Sequence, residues 1–310
     1  MAFLFPGQGA QSVGMGKDLY EKYEKIKSVY NNANTILGID VAKLTFDSSE
    51  AELFQTKNTQ IAILLMSIAI LEVLKENGIT PEYASGLSLG EYSALYCGGA
   101  IDFENVLKIV QKRGELMQNL VPDGQWAMAA VLGLEDSVVE KACKEITNGF
   151  VVPANYNCPG QVAISGDKEG IQSAIEKLKE LGAKRCLELK TAGPFHTEKL
   201  KKASDELKNE LEKITITVPN IEVVKNLDAK PYSVSDDMKE ILAKHVINPV
   251  RFSDSIKYMI ENGVDTFVEI GPGKVLTGFV KKVDKTVKCF SINDVASLEN
   301  AMQELKKEEN

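Results

Sequence analysis

Histidine is scarce in this chain of 310 residues, and so is basic charge. Two histidines, one tryptophan and five cysteines are present, and acidic residues outnumber basic ones to give a net charge of −8. The cysteines are odd in number and form no C-x-x-C pair, which fits reduced thiols and a cytoplasmic location better than a disulfide framework. The deficit of basic charge argues against a nucleic-acid partner, because phosphate contacts depend on clustered Lys and Arg.

Long apolar runs are also missing, and we expect no signal peptide. The longest apolar run, 61–71, contains Ser67 and stops at Glu72, well short of the roughly 18 residues that suggest a membrane span. The N-terminus has no charged region and reaches Pro6 at once, unlike a signal peptide. We therefore expect a buried helix over this run and no membrane association.

The patterns that are present favour an α/β fold. Apolar runs typical of strands occur at Ala2–Phe5, 221–224 and Thr266–Ile270, and apolar residues recur at helical spacing over 19–37 and 102–120. This alternation predicts a mainly parallel sheet covered by helices.

The segment 124–193 has a different pattern. It predicts the order β-α-β-β-α-β, which is that of a ferredoxin-like unit. The predicted elements are strand 126–132, helix 135–146, strands 151–156 and 162–165, helix 170–181 and strand 184–189. We predict that this subdomain is inserted into a larger domain formed by 1–123 and 194–310, with a ligand cleft between the two.

A serine stands between two glycines in GLSLG, residues 86–90. This G-x-S-x-G spacing is typical of a nucleophile elbow, in which a sharp turn from strand to helix exposes the serine hydroxyl at the helix N-terminus. Serine is also a common helix cap, so Ser88 could instead belong to a tight turn before the helix 91–97. The motif alone leaves both interpretations open.

A nucleophilic serine requires a base, and only His196 and His245 offer an imidazole. His196 follows the inserted unit and precedes a helix, which predicts a place on the rim of the cleft. The alternative is an ordinary loop histidine. His245 lies where an amphipathic helix ends before Pro249, as a helix-end residue would.

The glycine-rich loop FPGQGAQ, residues 5–11, follows the first strand. It matches neither the phosphate loop nor the dinucleotide fingerprint, because Met15 follows Gly14 and Ser12 stands where the fingerprint has its third glycine. The loop can still donate one or two backbone N–H groups to an oxyanion. The alternative is a turn selected for shape alone.

Arg113 lies at helical spacing from the apolar residues Ile109, Val110 and Met117. An arginine that borders this face needs a partner, because an unpaired buried charge is costly. That partner is either an internal acid or a substrate carboxylate held by the guanidinium fork.

These pieces occur together, in this order, in one known family. The chain resembles the malonyl-CoA:acyl-carrier-protein transacylases of bacterial fatty-acid synthesis. The resemblance runs nearly end to end through FPGQGAQ, NTQIAI, GLSLGEYSAL, QKRGELMQ, MAAVLG, ANYNCPGQVAISG, GPFHT, KNLDAKP, NPVRF and EIGPGKVL. It implies an α/β-hydrolase-like core with an inserted ferredoxin-like subdomain. It also implies ping-pong transfer of a malonyl group from malonyl-CoA to acyl carrier protein through a malonyl-serine, with no metal or other cofactor.

The resemblance further implies a role for each residue at a matching position. The roles are nucleophile for Ser88, general base for His196, oxyanion-hole backbone N–H for Gln11 and Leu89, malonyl carboxylate binding for Arg113, orientation of the base through its main-chain carbonyl for His245, and acyl selectivity for Phe195 and Met117.

One departure from the family is Leu87, where a histidine is usual. It leaves the serine–histidine pair intact but alters the packing behind the elbow.

Two other functions use the same residues: a serine esterase or thioesterase with water as acceptor, and a non-catalytic protein that binds a carrier protein. We expect a monomer. Lys199, Lys201 and Lys202 are a candidate docking patch for the carrier protein, with a solvated helix face as the alternative.

Overall fold

The structure, a computed structural model, describes residues 1–122, 124–190 and 193–308. Within these ranges the chain forms two sheets with helices around them. The strands are β1 Ala2–Phe5, β2 Tyr83–Gly86, β3 Trp126–Leu132, β4 Val151–Cys158, β5 Gln161–Asp167, β6 Arg185–Glu188, β7 Glu222–Val224, β8 Thr266–Ile270 and β9 Lys288–Ile292. The helices are α1 Lys17–Lys22, α2 Glu24–Leu37, α3 Val41–Phe46, α4 Glu50–Leu53, α5 Thr56–Glu76, α6 Gly90–Cys97, α7 Phe103–Asn119, α8 Asp136–Lys144, α9 Lys168–Glu180, α10 Lys201–Leu211, α11 Met238–His245, α12 Phe252–Glu261, α13 Val275–Val283 and α14 Val295–Glu308.

The larger sheet is parallel, with the strand order β7-β2-β1-β8-β9. Every residue of β1 is buried, and its side chains alternate between two cores. Phe3 and Phe5 join the core that contains α5, while Ala2 and Leu4 join the core built on α12 and α13. Burial on both faces is the reason that this strand is a continuous apolar run.

Helix α5 is the core helix that the apolar run predicts. It is long and apolar enough to cross a membrane by length and composition, but 83% of its most apolar window is buried inside the protein. Its neighbours include α2 and α7, which carry their own apolar stripes toward it. The apolar character of α5 is therefore explained by packing within the chain.

The smaller sheet is antiparallel, with the order β4-β5-β3-β6, and helices α8 and α9 pack on one face. Its core includes Val131 of β3, Val139 of α8 and Ile175 of α9. The element order β-α-β-β-α-β is the predicted one, so the predicted fold class is confirmed. Strand β4 runs through Cys158, which shortens the predicted turn at 157–160.

Two details differ from the sequence prediction. The helical period over 19–37 is interrupted at Tyr23, whose extended backbone (φ −106°, ψ 114°) separates α1 from α2. The division into 1–123, 124–193 and 194–310 stays a prediction, because Asp123, Thr191 and Ala192 at its boundaries, together with Glu309 and Asn310, lie outside the described residues.

Candidate active site

The GLSLG motif forms the turn between β2 and α6. A Cβ atom on Gly86 would lie 1.9 Å from the carbonyl carbon of Gly90, and one on Gly90 would lie 2.1 Å from the carbonyl oxygen of Phe5. Both positions therefore admit only glycine. Between them Ser88 adopts a left-handed backbone with φ 53°, the strained conformation of a nucleophile elbow.

Ser88 and His196 lie within hydrogen-bond distance although 108 residues separate them. Ser88 Oγ is 2.8 Å from His196 Nε2, while His196 Nδ1 is 3.0 Å from the carbonyl oxygen of His245 and 3.1 Å from that of Asn248. A carbonyl can only accept a hydrogen bond, so the proton of the neutral ring is on Nδ1. Nε2 is then free to accept the serine proton.

The environment of His196 keeps its ring neutral. Burial and, to a smaller extent, the charge of Arg113 lower the pKa of His196 to about 4, against the opposing effect of the two carbonyls. A neutral imidazole at physiological pH is the form that a general base requires. His196 is also strained, with φ 60°.

Arg113 of α7 is 1% exposed and points at the same hydroxyl. Its Nη2 donates to Ser88 Oγ at 3.2 Å, its Nη1 donates to Gln60 Oε1 at 2.7 Å, and its Cζ lies 5.6 Å from the centroid of the Tyr92 ring. In the described part of the chain its Nε has no hydrogen-bond partner, and no carboxylate lies within 4.0 Å of the guanidinium. Burial lowers the pKa of Arg113, against the opposing effects of Tyr92 and of the buried acid Glu91. Glu91 therefore interacts with Arg113 at a distance, but no acid forms an ion pair with the guanidinium in the described part of the chain.

The predicted oxyanion donors lie on the two segments that flank the elbow. Within residues 1–122, 124–190 and 193–308, neither the N–H of Gln11 nor that of Leu89 donates a backbone or side-chain hydrogen bond. The Gln11 side chain accepts from the N–H of Gly9 at 2.7 Å, which fixes the loop after β1. Gln11 lines the cavity beside Ser88, whereas Leu89 is fully buried and does not appear in the cavity lining. The role of both N–H groups stays a prediction.

A cavity of about 510 Å³ opens above these groups. The loop after β1, the elbow and α7 form one side, and the helix-free face of the small sheet forms the other. Its lining includes Gln11, Leu87, Ser88, Arg113, Met117, Met128, Asn155, Phe195 and His196. Both residues predicted to govern selectivity, Phe195 and Met117, therefore face the space beside the serine. Leu87 stands where the family usually has a histidine, and it packs against the core built on α12 and α13.

Sequence reasoning missed three amide residues that hold the site. Gln60 binds Arg113, and the carbonyl of Asn248 is a second acceptor for His196. Asn226 Oδ1 accepts the N–H of Ser88 at 2.7 Å, and its Nδ2 donates to the carbonyl of Gly86 at 2.6 Å. Gln60 and Asn226 lie in the motifs NTQIAI and KNLDAKP, but no local pattern distinguishes them from other polar residues.

Comparison with known proteins agrees with this geometry. The acyl transferase domain family matches residues 2–307. The malonyl CoA-acyl carrier protein transacylase of Bacillus subtilis is 44% identical over 310 residues, which covers 99% of this chain and 98% of that protein.

Solved structures give the same result. The crystal structure of the malonyl CoA-acyl carrier protein transacylase from Clostridium perfringens superposes with a TM-score of 0.95 at 43% identity, covering 99% of this chain and 98% of that one. A malonyl-transacylase in complex with its type II PKS acyl-carrier protein superposes with a TM-score of 0.94 at 40% identity, covering 98% and 99%. The chain belongs to the malonyl-CoA:acyl-carrier-protein transacylase family of acyl transferases.

Proposed function

We propose that this protein transfers a malonyl group from malonyl-CoA to the phosphopantetheine thiol of an acyl carrier protein in fatty-acid synthesis, through a malonyl ester of Ser88. The observation that carries this proposal is the buried guanidinium of Arg113, which forms no ion pair in the described part of the chain and lies 3.2 Å from the Ser88 hydroxyl. An acyl group with its own carboxylate supplies the missing counter-charge. The names of the relatives and the complex with an acyl-carrier protein support the same reaction.

In the first half-reaction Ser88 Oγ attacks the thioester carbonyl carbon of malonyl-CoA while its proton moves to His196 Nε2. The carbonyl oxygen becomes an oxyanion, which the N–H groups of Gln11 and Leu89 stabilise. The imidazolium is stabilised by the carbonyls of His245 and Asn248. The carbon–sulfur bond then breaks, the proton passes to the CoA sulfur, and malonyl-Ser88 remains.

Arg113 positions the acyl group during this step. Nη1 is held by Gln60 and Nε is buried, so Nη2, which lies 3.2 Å from Ser88 Oγ, is the nitrogen that pairs with the malonyl carboxylate. Pairing also offsets the positive charge that lowers the pKa of His196. Binding of the correct substrate therefore makes the proton transfer to His196 easier.

In the second half-reaction the carrier-protein thiol attacks malonyl-Ser88 by the reverse route, with His196 removing the thiol proton. Two half-reactions through one acyl-enzyme give ping-pong kinetics. Phe195 and Met117 line the cavity beside Ser88 and limit the space for a branch on the acyl chain.

We also propose a docking surface for the carrier protein, a cellular location and an oligomeric state. Lys199, Lys201 and Lys202 lie beyond His196 and form the proposed docking patch for an acidic carrier protein; Lys201 also pairs with Asp205, and Lys199 lies 3.9 Å from Glu198. Reversal of the charges of Lys199 and Lys202 should raise KM for the carrier protein without slowing acylation by malonyl-CoA.

All five cysteines are free thiols, as expected of a cytoplasmic protein. We propose a monomer, which size-exclusion chromatography tests.

The experiment that tests the function is intact-protein mass spectrometry after mixing with malonyl-CoA in the absence of acceptor. The wild-type protein should gain one malonyl group that survives until carrier protein is added, and Ser88→Ala should gain none. Rapid release of free malonate would indicate a hydrolase, and failure of the wild type to label would indicate a non-catalytic protein.

A further inference from the structure

A second buried charge lies directly beneath the elbow. Glu91 follows Ser88 by three residues, on the first turn of α6, and is 1% exposed. Its Oε1 accepts a hydrogen bond from the Tyr232 hydroxyl at 2.6 Å, and its Oε2 accepts one from the N–H of Asn226 at 3.2 Å. The same Oε2 lies 3.2 Å from Nδ1 of His245.

The contact of Glu91 with Asn226 leads to the nucleophile. The side-chain oxygen of Asn226 accepts a hydrogen bond from the Ser88 N–H, and its side-chain N–H donates one to the carbonyl of Gly86. One asparagine therefore holds the elbow on both sides of the serine. Glu91 in turn holds the backbone of that asparagine.

The contact with His245 leads to the base. The ring of His245 is buried beside Glu91, and the main-chain carbonyl of the same residue is one of the two acceptors for His196 Nδ1. A shift of His245 would move the acceptor that orients the catalytic imidazole. One carboxylate thus contacts both the residue that holds the nucleophile and the residue that orients the base.

The backbone conformations indicate that this region needs such a restraint. In the described part of the chain, the non-glycine residues with positive φ are Ser88, His196 and Ala229, at 53°, 60° and 58°. The first two are the reacting pair, and Ala229 is in the turn that carries Asn226. Strained residues persist only where their surroundings hold them in place.

Burial of a carboxylate has a cost that an apolar residue would avoid. Burial raises the pKa of Glu91 to about 7, against the opposing effects of its hydrogen bonds from Tyr232 and Asn226 and of the charge of Arg113. A residue needed only to fill space would carry no charge at this point. The three contacts, and not packing alone, therefore account for a glutamate here.

We propose that Glu91 is a positioning residue for the acyl transfer, and that its carboxylate holds Ser88 and His196 at reacting distance by fixing Asn226 and His245 together. The inference rests on the proposed function and deepens it. It assigns Glu91 no contact with substrate.

The main test is Glu91→Gln, a variant of the same size and shape. We expect the single-turnover acylation rate with malonyl-CoA to fall about ten- to a hundredfold, because small displacements of reacting groups cost that much. KM for malonyl-CoA and the ratio of malonyl to acetyl transfer should stay within about twofold, since Arg113 is untouched. An unchanged acylation rate, or a loss expressed mainly in KM, would overturn the proposal.

A double-mutant cycle distinguishes positioning from general destabilisation. Because Glu91 acts partly through Asn226 and partly through His245, Glu91→Gln combined with Asn226→Ala should lose clearly less activity than the product of the two single losses. Multiplicative losses would mean that the two residues act independently and would contradict the proposal.

The chain also offers a matched control. Tyr156 donates to Glu140 at 2.7 Å in the small sheet, much as Tyr232 donates to Glu91. Tyr232→Phe should slow acylation several-fold, whereas Tyr156→Phe should leave it unchanged, and this pair decides the matter if Glu91→Gln does not fold. Equal effects of the two tyrosine variants would overturn the inference. Failure of the wild type to form malonyl-Ser88 would instead overturn the proposed function, so the two failures are distinguishable.

Discussion

Two buried cations in this protein are held in opposite ways. Lys225, 4% exposed, forms ion pairs with Asp236 at 3.0 Å and with Asp228 at 3.4 Å. Arg113, 1% exposed, is bound by the neutral side chains of Gln60 and Ser88. The chain thus pairs Lys225 directly with its own acids, whereas Arg113 has only the more distant Glu91 and no acid in contact in the described part of the chain, which leaves its fork open to a ligand carboxylate.

The different pairing of Arg113 and Lys225 has a direct consequence for the reaction. A buried cation without a counter-ion is unfavourable in the free protein, and a ligand carboxylate removes that penalty when it binds. Arg113 therefore selects for acyl groups that carry an acid, whereas Lys225 contributes to stability alone. Each prediction below tests this difference.

Arg113→Ala should have the largest effect. The malonyl carboxylate would be desolvated without a partner, so kcat/KM for malonyl-CoA should fall about a hundred- to a thousandfold, or roughly 3–4 kcal/mol. Acetyl transfer should be retained or rise, as steady-state kinetics with both thioesters would measure. Equal losses for the two substrates would show that Arg113 is not a carboxylate clamp.

Arg113→Lys should have an intermediate effect. Lysine keeps the charge but loses the planar fork, and one charge-assisted hydrogen bond is worth about 1.5–3 kcal/mol, or roughly ten- to a hundredfold in kcat/KM. The same kinetic assay measures it. A lysine variant as active as the wild type would mean that a point charge is sufficient, and one as poor as Arg113→Ala would mean that the charge contributes little.

Lys225→Met should act on stability. Its removal leaves Asp236 and Asp228 without their buried partner, and because both acids are partly exposed we expect a loss of about 1–2 kcal/mol in the free energy of unfolding. Urea denaturation measures this loss. The ratio of malonyl to acetyl transfer should not change, and a change in that ratio would break the distinction between the two cations.

The smallest effect concerns pH. Burial and the charge of Arg113 lower the pKa of His196 to about 4, so the acidic limb of kcat/KM for acetyl transfer reports the protonation of this base. Arg113→Ala removes one of the two lowering effects, and the limb should therefore move to higher pH. Lys225→Met should leave it in place. An unmoved limb in Arg113→Ala would mean that the two groups are not electrostatically coupled.

Apolar patterning predicted most of the fold. Strands β1, β3 and β8 have the predicted bounds, because buried strands leave a signal in the sequence itself. Strand β2, with the sequence YASG, was implied by the elbow motif but not bounded. Gly86 is required by its close approach to α6, and the short residues of this strand carry no strong apolar signal. Strand β9 is only partly buried and was likewise missed.

The site was predictable where a residue has distinctive chemistry. Because the chain has only two histidines, the candidates for the general base were His196 and His245. Arg113 was identifiable because an arginine beside an apolar stripe of a helix is unusual. Asn226 and Glu91 were not predicted, because their role depends on contacts between positions about 135 to 140 residues apart in the chain. Amides and carboxylates are common on loops and helices, so only the folded structure identifies these two.

The most direct test of the account is a crystal structure of the malonyl-Ser88 enzyme, formed with malonyl-CoA in the absence of acceptor. The account predicts that a carboxylate oxygen of the malonyl group lies about 2.7–2.9 Å from Nη2 of Arg113, with Gln60 still on Nη1. A malonyl carboxylate that points to solvent or to another residue, while Arg113 has no negative partner, would contradict it.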